Sequence, residues 1–248
     1  MSDQEKPTST PARAMVVVAH PDDAEFGVAG TVAKWTAAGS EVIFVLGTSG
    51  DKGSDDPEMT SEKLVETRER EQRAAAAVLG VKTVEFLRFR DAELMPDLNL
   101  RLAITRMIRT YKPDAVICQD PTFRWGGQEY INHPDHSAMG EATLAAIFPS
   151  ARDRLTFPQL LAEGLEPHKV TEVFVGMSKE ADFWVDITES FPIKLAALKE
   201  HFSQLGDWDF EPMMRRWSQD SAAEARAKRF PGANNMELAE SYKYFKLD

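Results

Sequence analysis

The amino-acid sequence predicts an α/β protein: a doubly wound, mainly parallel sheet in a single domain. Three observations carry that expectation. Short apolar runs alternate with longer helix-forming segments in the order strand, helix, strand, helix, strand, helix, strand. The runs are apolar throughout and rich in β-branched residues, as strands buried on both faces require. Polar residues follow three of the four runs at once, which puts chemistry at the carboxyl edge of the sheet, where open α/β sheets place their ligands.

In chain order, residues 1–13 are polar, with Pro7, Ser9, Thr10 and Pro11, and read as a disordered tail ahead of a domain over residues 14–248. Met15 to Val18 is the first strand. It stops abruptly at His20, Pro21, Asp22 and Asp23, and Pro21 keeps His20 extended. A helix through Val32, Ala33 and Trp35 ends at Gly39, and Glu41 to Leu46 is the second strand. The segment Gly47 to Gly53 could cradle a phosphate but matches no phosphate-binding spacing, and reads as a surface loop. Ser61 to Leu79 is helical, with Leu64, Arg68 and Glu71 near one face, so that Arg68 and Glu71 are positioned for a helix salt bridge. Thr83 to Phe89 is the third strand, followed by Arg90, Asp91 and Glu93. Leu98 to Tyr111 is a helix ended by Pro113, and Ala115 to Cys118 is the fourth strand, followed by Gln119 and Asp120. Four strand ends thereby converge on one edge of a Rossmann-like sheet.

Pro121 to Asn132 reads as a loop rich in aromatic residues and glycine, suited to a lid. His133-Pro134-Asp135-His136 then opens a helix running to Phe148, with Pro134 at the first helical position and the two imidazoles directed into the same space. Lys169 to Val175 and Phe183 to Ile187 read as strands, and Phe191 to Leu205 as a helix bearing His201. The tail reads as helix to about Arg229 and loop over Pro231 to Asn235.

A net charge of −11 over 248 residues argues against nucleic acid as a partner. No segment is long and apolar enough to span a bilayer. The opening residues lack the apolar core of a signal peptide, so a cytoplasmic setting is expected, and Cys118, the only cysteine, allows a reducing compartment and reads as a buried inert thiol in a strand. Exposed Trp and Met in the tail would suit a homo-oligomer interface.

An imidazole and two adjacent carboxylates are costly to desolvate without a partner, and a divalent cation satisfies all three. Catalytic zinc sites use three ligands drawn from His and carboxylate and keep one position open. Here the set is His20, one of Asp22 and Asp23, and His133 or His136. Iron or manganese would also suit such donors.

The segment Ala19-His20-Pro21-Asp22-Asp23-Ala24-Glu25, together with the later His133-Pro134-Asp135-His136, resembles the paired signature motifs of the LmbE-like, PIG-L family of zinc-dependent N-acetylglucosaminyl deacetylases. Arg68, Glu71, Asp91 and Asp120-Pro121 extend the resemblance over roughly residues 14–190. Two positions depart from it: Ala24 stands between the Asp pair and Glu25, and Ile131 stands where certain members carry a tyrosine, with Tyr130 one residue back. The resemblance implies that His20, Asp23 and His136 bind zinc and that Asp22 is the general base. It further implies that a protonated His133, held by Asp135, faces the developing oxyanion, and that Arg68 and Asp91 contact the sugar or its attached group. The substrate implied is a small N-acetylated amino sugar or its conjugate. Two rivals stand beside this reading. One is an amidase cleaving a larger acyl group from a sugar or thiol conjugate. The other is a metal-binding Rossmann-like module without catalysis, in which Asp22 would be dispensable.

Overall fold

Parallel strands need crossover connections to bring the chain back to the same edge, and the helices that make them must cover both sheet faces. The computed structural model, which describes residues 10–248, has this arrangement. Strand β1 (Arg13–Val18) lies inside the sheet, parallel to β2 (Glu41–Thr48) on one side and β4 (Ala115–Gln119) on the other. β3 (Thr83–Phe89) extends the sheet beyond β2. A short hairpin, β5 (Trp125–Gly126) and β6 (Tyr130–Ile131), forms a separate pair. β7 (Glu172–Gly176) is parallel to β4, and two antiparallel strands, β8 (Phe183–Asp186) and β9 (Ala239–Lys246), complete the order β3-β2-β1-β4-β7-β9-β8.

The period of two along β1 divides the core. Ala14, Val16 and Val18 face one apolar layer, and Met15, Val17 and Ala19 face the other. The first layer is covered by α1 (Asp23–Gly27), α2 (Ala29–Ala37), α3 (Ser61–Val78) and α7 (Phe191–Leu198). The second is covered by α4 (Leu98–Tyr111), through Leu100, Ile104 and Ile108, and by α5 (Pro134–Ala145), through Ala138, Met139 and Ala142. Gly140 lets α5 press onto the end of β4, where a Cβ would collide with the Gln119 carbonyl oxygen. Short α6 (Pro158–Ala162) and α8 (Phe202–Leu205) and the longer α9 (Glu211–Ala227) complete the helices used below. Among the described residues no helix is long and apolar enough to cross a membrane.

Several expectations need adjustment. Residues 1–9 of the anticipated tail lie outside the described residues, and Arg13 already belongs to β1. The helix expected over Phe191 to Leu205 breaks after Leu198, with His201 at the start of α8. The tail contains β9, which sequence reasoning missed. Its alternation of Tyr242 and Tyr244 was a usable signal, obscured because Glu240 is buried within the strand.

Glu240 accepts from the Gly30 and Thr31 backbone N–H groups and from the Tyr242 hydroxyl, and it pairs with Lys194 at 2.7 Å, both side chains being buried. Removing one member of such a pair strands the other charge. Glu240→Leu is therefore predicted to destabilise the fold by about 3–5 kcal/mol in denaturant unfolding. Adding Lys194→Met should recover only part of this, because the two N–H groups at the start of α2 remain without an acceptor. A single variant as stable as the wild type would refute this account of the pair.

Candidate active site

The chain leaves β1 through His20 and Pro21 and turns sharply at Asp22, whose φ of +91° is strained for a residue with a side chain. The turn starts α1 at Asp23 and separates the two carboxylates. Asp23 Oδ2 accepts from the His20 backbone N–H at 2.8 Å and from Gln119 Nε2 at 3.1 Å. Asp22 Oδ2 instead faces Arg68 Nη2 at 3.2 Å.

From the other side, α5 begins with Pro134 in its first turn and His133 at its cap, as the sequence predicts. The Asp135 backbone N–H donates to His133 Nδ1 at 3.3 Å, which places the proton of a neutral ring on Nε2. His136 Nδ1 lies 2.9 Å from Asn132 Oδ1, which turns its Nε2 toward Asp23 Oδ1 at 3.0 Å. The Asp135 carboxylate lies closer to His20 than to His133. It accepts from the Ala92 and Leu94 backbone N–H groups and faces His20 Nε2 at 3.2 Å, while His133 Nδ1 lies 4.0 Å away. Asp135 orients His20, and His133 is oriented by backbone.

The charges follow from these contacts. Burial works against a charged His20, but hydrogen bonds to Asp135, Asp23 and Asp91 prevail and push its pKa up to about 12. Burial also opposes charge on Asp23, and His136 beside it holds the carboxyl well below the usual range. Burial lifts Asp22 to about 6, with Arg68 opposing and Asp23 adding to the rise. His133 is pushed down by burial and by the charge of His20, so a neutral ring is favoured over the expected imidazolium.

Two overlapping groups of side chains have the spacing of metal ligands: His20, Asp23 and His136, and His20, Asp91, His133 and Asp135. In the first group His20 Nδ1 and His136 Nε2 lie 3.4 and 3.0 Å from the Asp23 oxygens. Bonds of about 2.0–2.1 Å give a tetrahedron an edge of roughly 3.3–3.4 Å, which the first separation matches and the second falls a few tenths of an ångström short of. The second group is less suited, since the Asp135 oxygens are already taken by two backbone N–H groups and His20. In the first group, moreover, His20 keeps its Nε2 proton on Asp135, a carboxylate–histidine arrangement typical of metal sites. The donor set fits a divalent cation. Loading it should displace the proton that His20 Nδ1 turns to Asp23. Calorimetric titration with zinc in buffers of different ionisation enthalpy is predicted to show at least about one proton released per ion at neutral pH. No release would mean that His20 does not bind the metal.

Arg68 and Asp91 both border the cavity beside these residues, but both already have partners. Arg68 donates to the Pro21 carbonyl at 2.9 Å as well as to Asp22, and Glu71 bonds Ser203, so the helix salt bridge suggested by their spacing does not form. Gly50, at φ +64°, makes room for the Arg68 guanidinium, which a Cβ would strike. The glycine-rich loop thus begins as buried packing around a site residue. Asp91 Oδ1 lies 3.2 Å from His20 Nε2. The cavity measures about 900 Å³ and combines the polar groups with an apolar wall of Phe26, Met177, Trp208, Met213 and Trp217. The β5–β6 hairpin borders it through Gly126 and Tyr130, with Phe123 just before it, and Lys179 lies over the Phe123 and Trp125 rings and donates to the Trp125 carbonyl. Sequence reasoning missed Gln72, Gln119 and Asn132, amides that orient Asp22, Asp23 and His136.

A doubly wound α/β domain with a His-Asp-His group that could hold a metal, and a second carboxylate beside it, fits a metal-dependent hydrolase. The chain belongs to the PIG-L family, whose description, "GlcNAc-PI de-N-acetylase", matches residues 15–147. A diacetylchitobiose deacetylase from Thermococcus kodakarensis is 31% identical over 213 residues, covering 85% of this chain and 78% of that protein. The structure of N,N'-diacetylchitobiose deacetylase from Pyrococcus horikoshii, complexed with an inhibitor, aligns with a TM-score of 0.87 at 27% identity, covering 98% of this chain and 87% of that one. The 4-carboxy-2-hydroxymuconate hydratase from Pseudomonas putida aligns at a TM-score of 0.76 and 21% identity, over 95% of this chain and 97% of that one, a likeness of fold alone.

Proposed function

We propose that this protein is a zinc-dependent deacetylase that hydrolyses the N-acetyl amide of an amino sugar of the N-acetylglucosamine type, carried within a larger conjugate. The observation that carries this reading is the position of Asp22. It adjoins the donor set, belongs to neither ligand group, and has a pKa of about 6, suited to accepting a proton near neutrality.

His20, Asp23 and His136 would hold the zinc. When bound, the ion supplies a Lewis acid that polarises the amide carbonyl and acidifies water. Asp22 takes the proton of the attacking water. His133, neutral and protonated on Nε2, donates a hydrogen bond to the carbonyl oxygen as it becomes negative. Asp22 then returns its proton to the departing amine, because His133 has none to spare. Arg68 steadies the Asp22 carboxylate throughout.

The large cavity and its apolar wall support a substrate that extends beyond one sugar ring. A cytoplasmic setting belongs to the same reading, and the one cysteine, buried and unpaired, is compatible with it. The test is a panel of N-acetylglucosamine conjugates and their longer-chain acyl amides offered to zinc-loaded protein. Equimolar acetate and free amine from the acetylated conjugates is the expected result. Turnover of the longer amides alone would replace this reading with the larger-acyl amidase.

A further inference from the structure

The strained turn at Asp22 is held from behind by a row of polar side chains that the mechanism above does not use. The Asp22 backbone N–H donates to Gln72 Oε1 at 3.0 Å. Because that N–H can only donate, the amide orientation is fixed and Gln72 Nε2 faces Glu25, donating to Oε1 at 2.8 Å. Glu25 Oε2 faces His201 Nε2 at 3.2 Å. Gln72, Glu25 and His201 are each 0% exposed. Three buried polar groups, two of them ionisable, are a poor means of filling a core, since apolar residues of the same volume serve as well or better. Their placement makes sense at the end of the row. Gln72 lies one helical turn beyond Arg68 on α3, so a single helix grips Asp22 twice, by its backbone through Gln72 and by its carboxylate through Arg68.

We propose that Gln72, Glu25 and His201 form a buried positioning chain that holds the Asp22 backbone in its positive-φ turn and thereby aims the carboxylate. Gln72 supplies the contact, Glu25 fixes the orientation of its amide, and His201 balances the Glu25 charge. The inference rests on the reading of Asp22 as general base. A base displaced by a fraction of an ångström loses rate with no loss of substrate or metal affinity, so the effect belongs in kcat.

The experiment compares four zinc-loaded variants with the wild type for kcat, KM, bound zinc and melting temperature. Gln72→Leu removes both hydrogen bonds at similar volume and should lower kcat at least about tenfold, leaving KM and zinc content within about twofold. The exchange Gln72→Glu with Glu25→Gln should restore kcat to within about threefold of the wild type. The carboxylate introduced at position 72 still accepts from Asp22, and the amide introduced at position 25 donates to it and leaves its oxygen facing His201. Asp22→Asn alone, and Asp22→Asn with Gln72→Leu, complete the set. If Gln72 acts through Asp22, the double variant is no slower than Asp22→Asn alone. Additive losses, or no recovery in a folded exchange variant, would overturn the chain, as would full kcat in Gln72→Leu beside an impaired Asp22→Asn. An Asp22→Asn as fast as the wild type would instead remove the base assignment on which the chain depends.

Discussion

Asp22→Asn is expected to lower turnover by about a hundredfold or more while the variant binds as much zinc as the wild type. The substitution keeps the shape of the side chain and removes its capacity to accept a proton. Metal binding should survive because Asp22 belongs to neither ligand group and its side chain is turned to Arg68. Steady-state acetate release and metal analysis on the same samples check the split. The wild-type pH profile carries the same signature. Burial has raised Asp22 to about 6, and the base works only as the carboxylate, so activity should fall as the pH drops through about 6. Arg68 opposes that rise, and Arg68→Met should therefore move the acidic limb to higher pH. A limb that stays in place in Arg68→Met would show that another group controls it.

His136→Ala should abolish activity by a different route. It deletes the Nε2 atom that meets Asp23 Oδ1 at 3.0 Å and leaves the donor set with two members. Zinc affinity is expected to fall at least about a hundredfold, and activity with it at sub-saturating metal. Competition with a chromophoric chelator measures the affinity directly. Asn132→Ala, which removes only the oxygen that turns the His136 ring, should fall between this variant and the wild type. Wild-type affinity in His136→Ala would remove that residue from the ligand set.

Much of this architecture is legible in the sequence because it is written in patterns of burial. β1, β2 and β4 are apolar through their interiors because both faces of a parallel sheet are covered, and the two His-Pro-Asp segments stand at the end of a strand and the start of a helix. What escapes sequence reasoning depends on distant partners. Arg68 and Glu71 have the spacing of a helix pair, but a buried Arg68 finds Asp22 and the Pro21 carbonyl, and Glu71 finds Ser203. Asp135, two residues from His133, meets His20 because the helix cap turns its carboxylate to β1 and to the loop after β3. Gln72, Gln119 and Asn132 carry no signature at all, since an amide acquires a role only from what the fold sets beside it.

The most direct test of the central claim is crystallographic: the anomalous scattering of zinc-loaded protein recorded on both sides of the zinc absorption edge. The account predicts one strong peak among His20 Nδ1, Asp23 and His136, with Asp22 adjacent and unligated. A peak among His20 Nε2, Asp91, His133 and Asp135 would contradict it, because His133 would then be a ligand and could no longer serve the oxyanion.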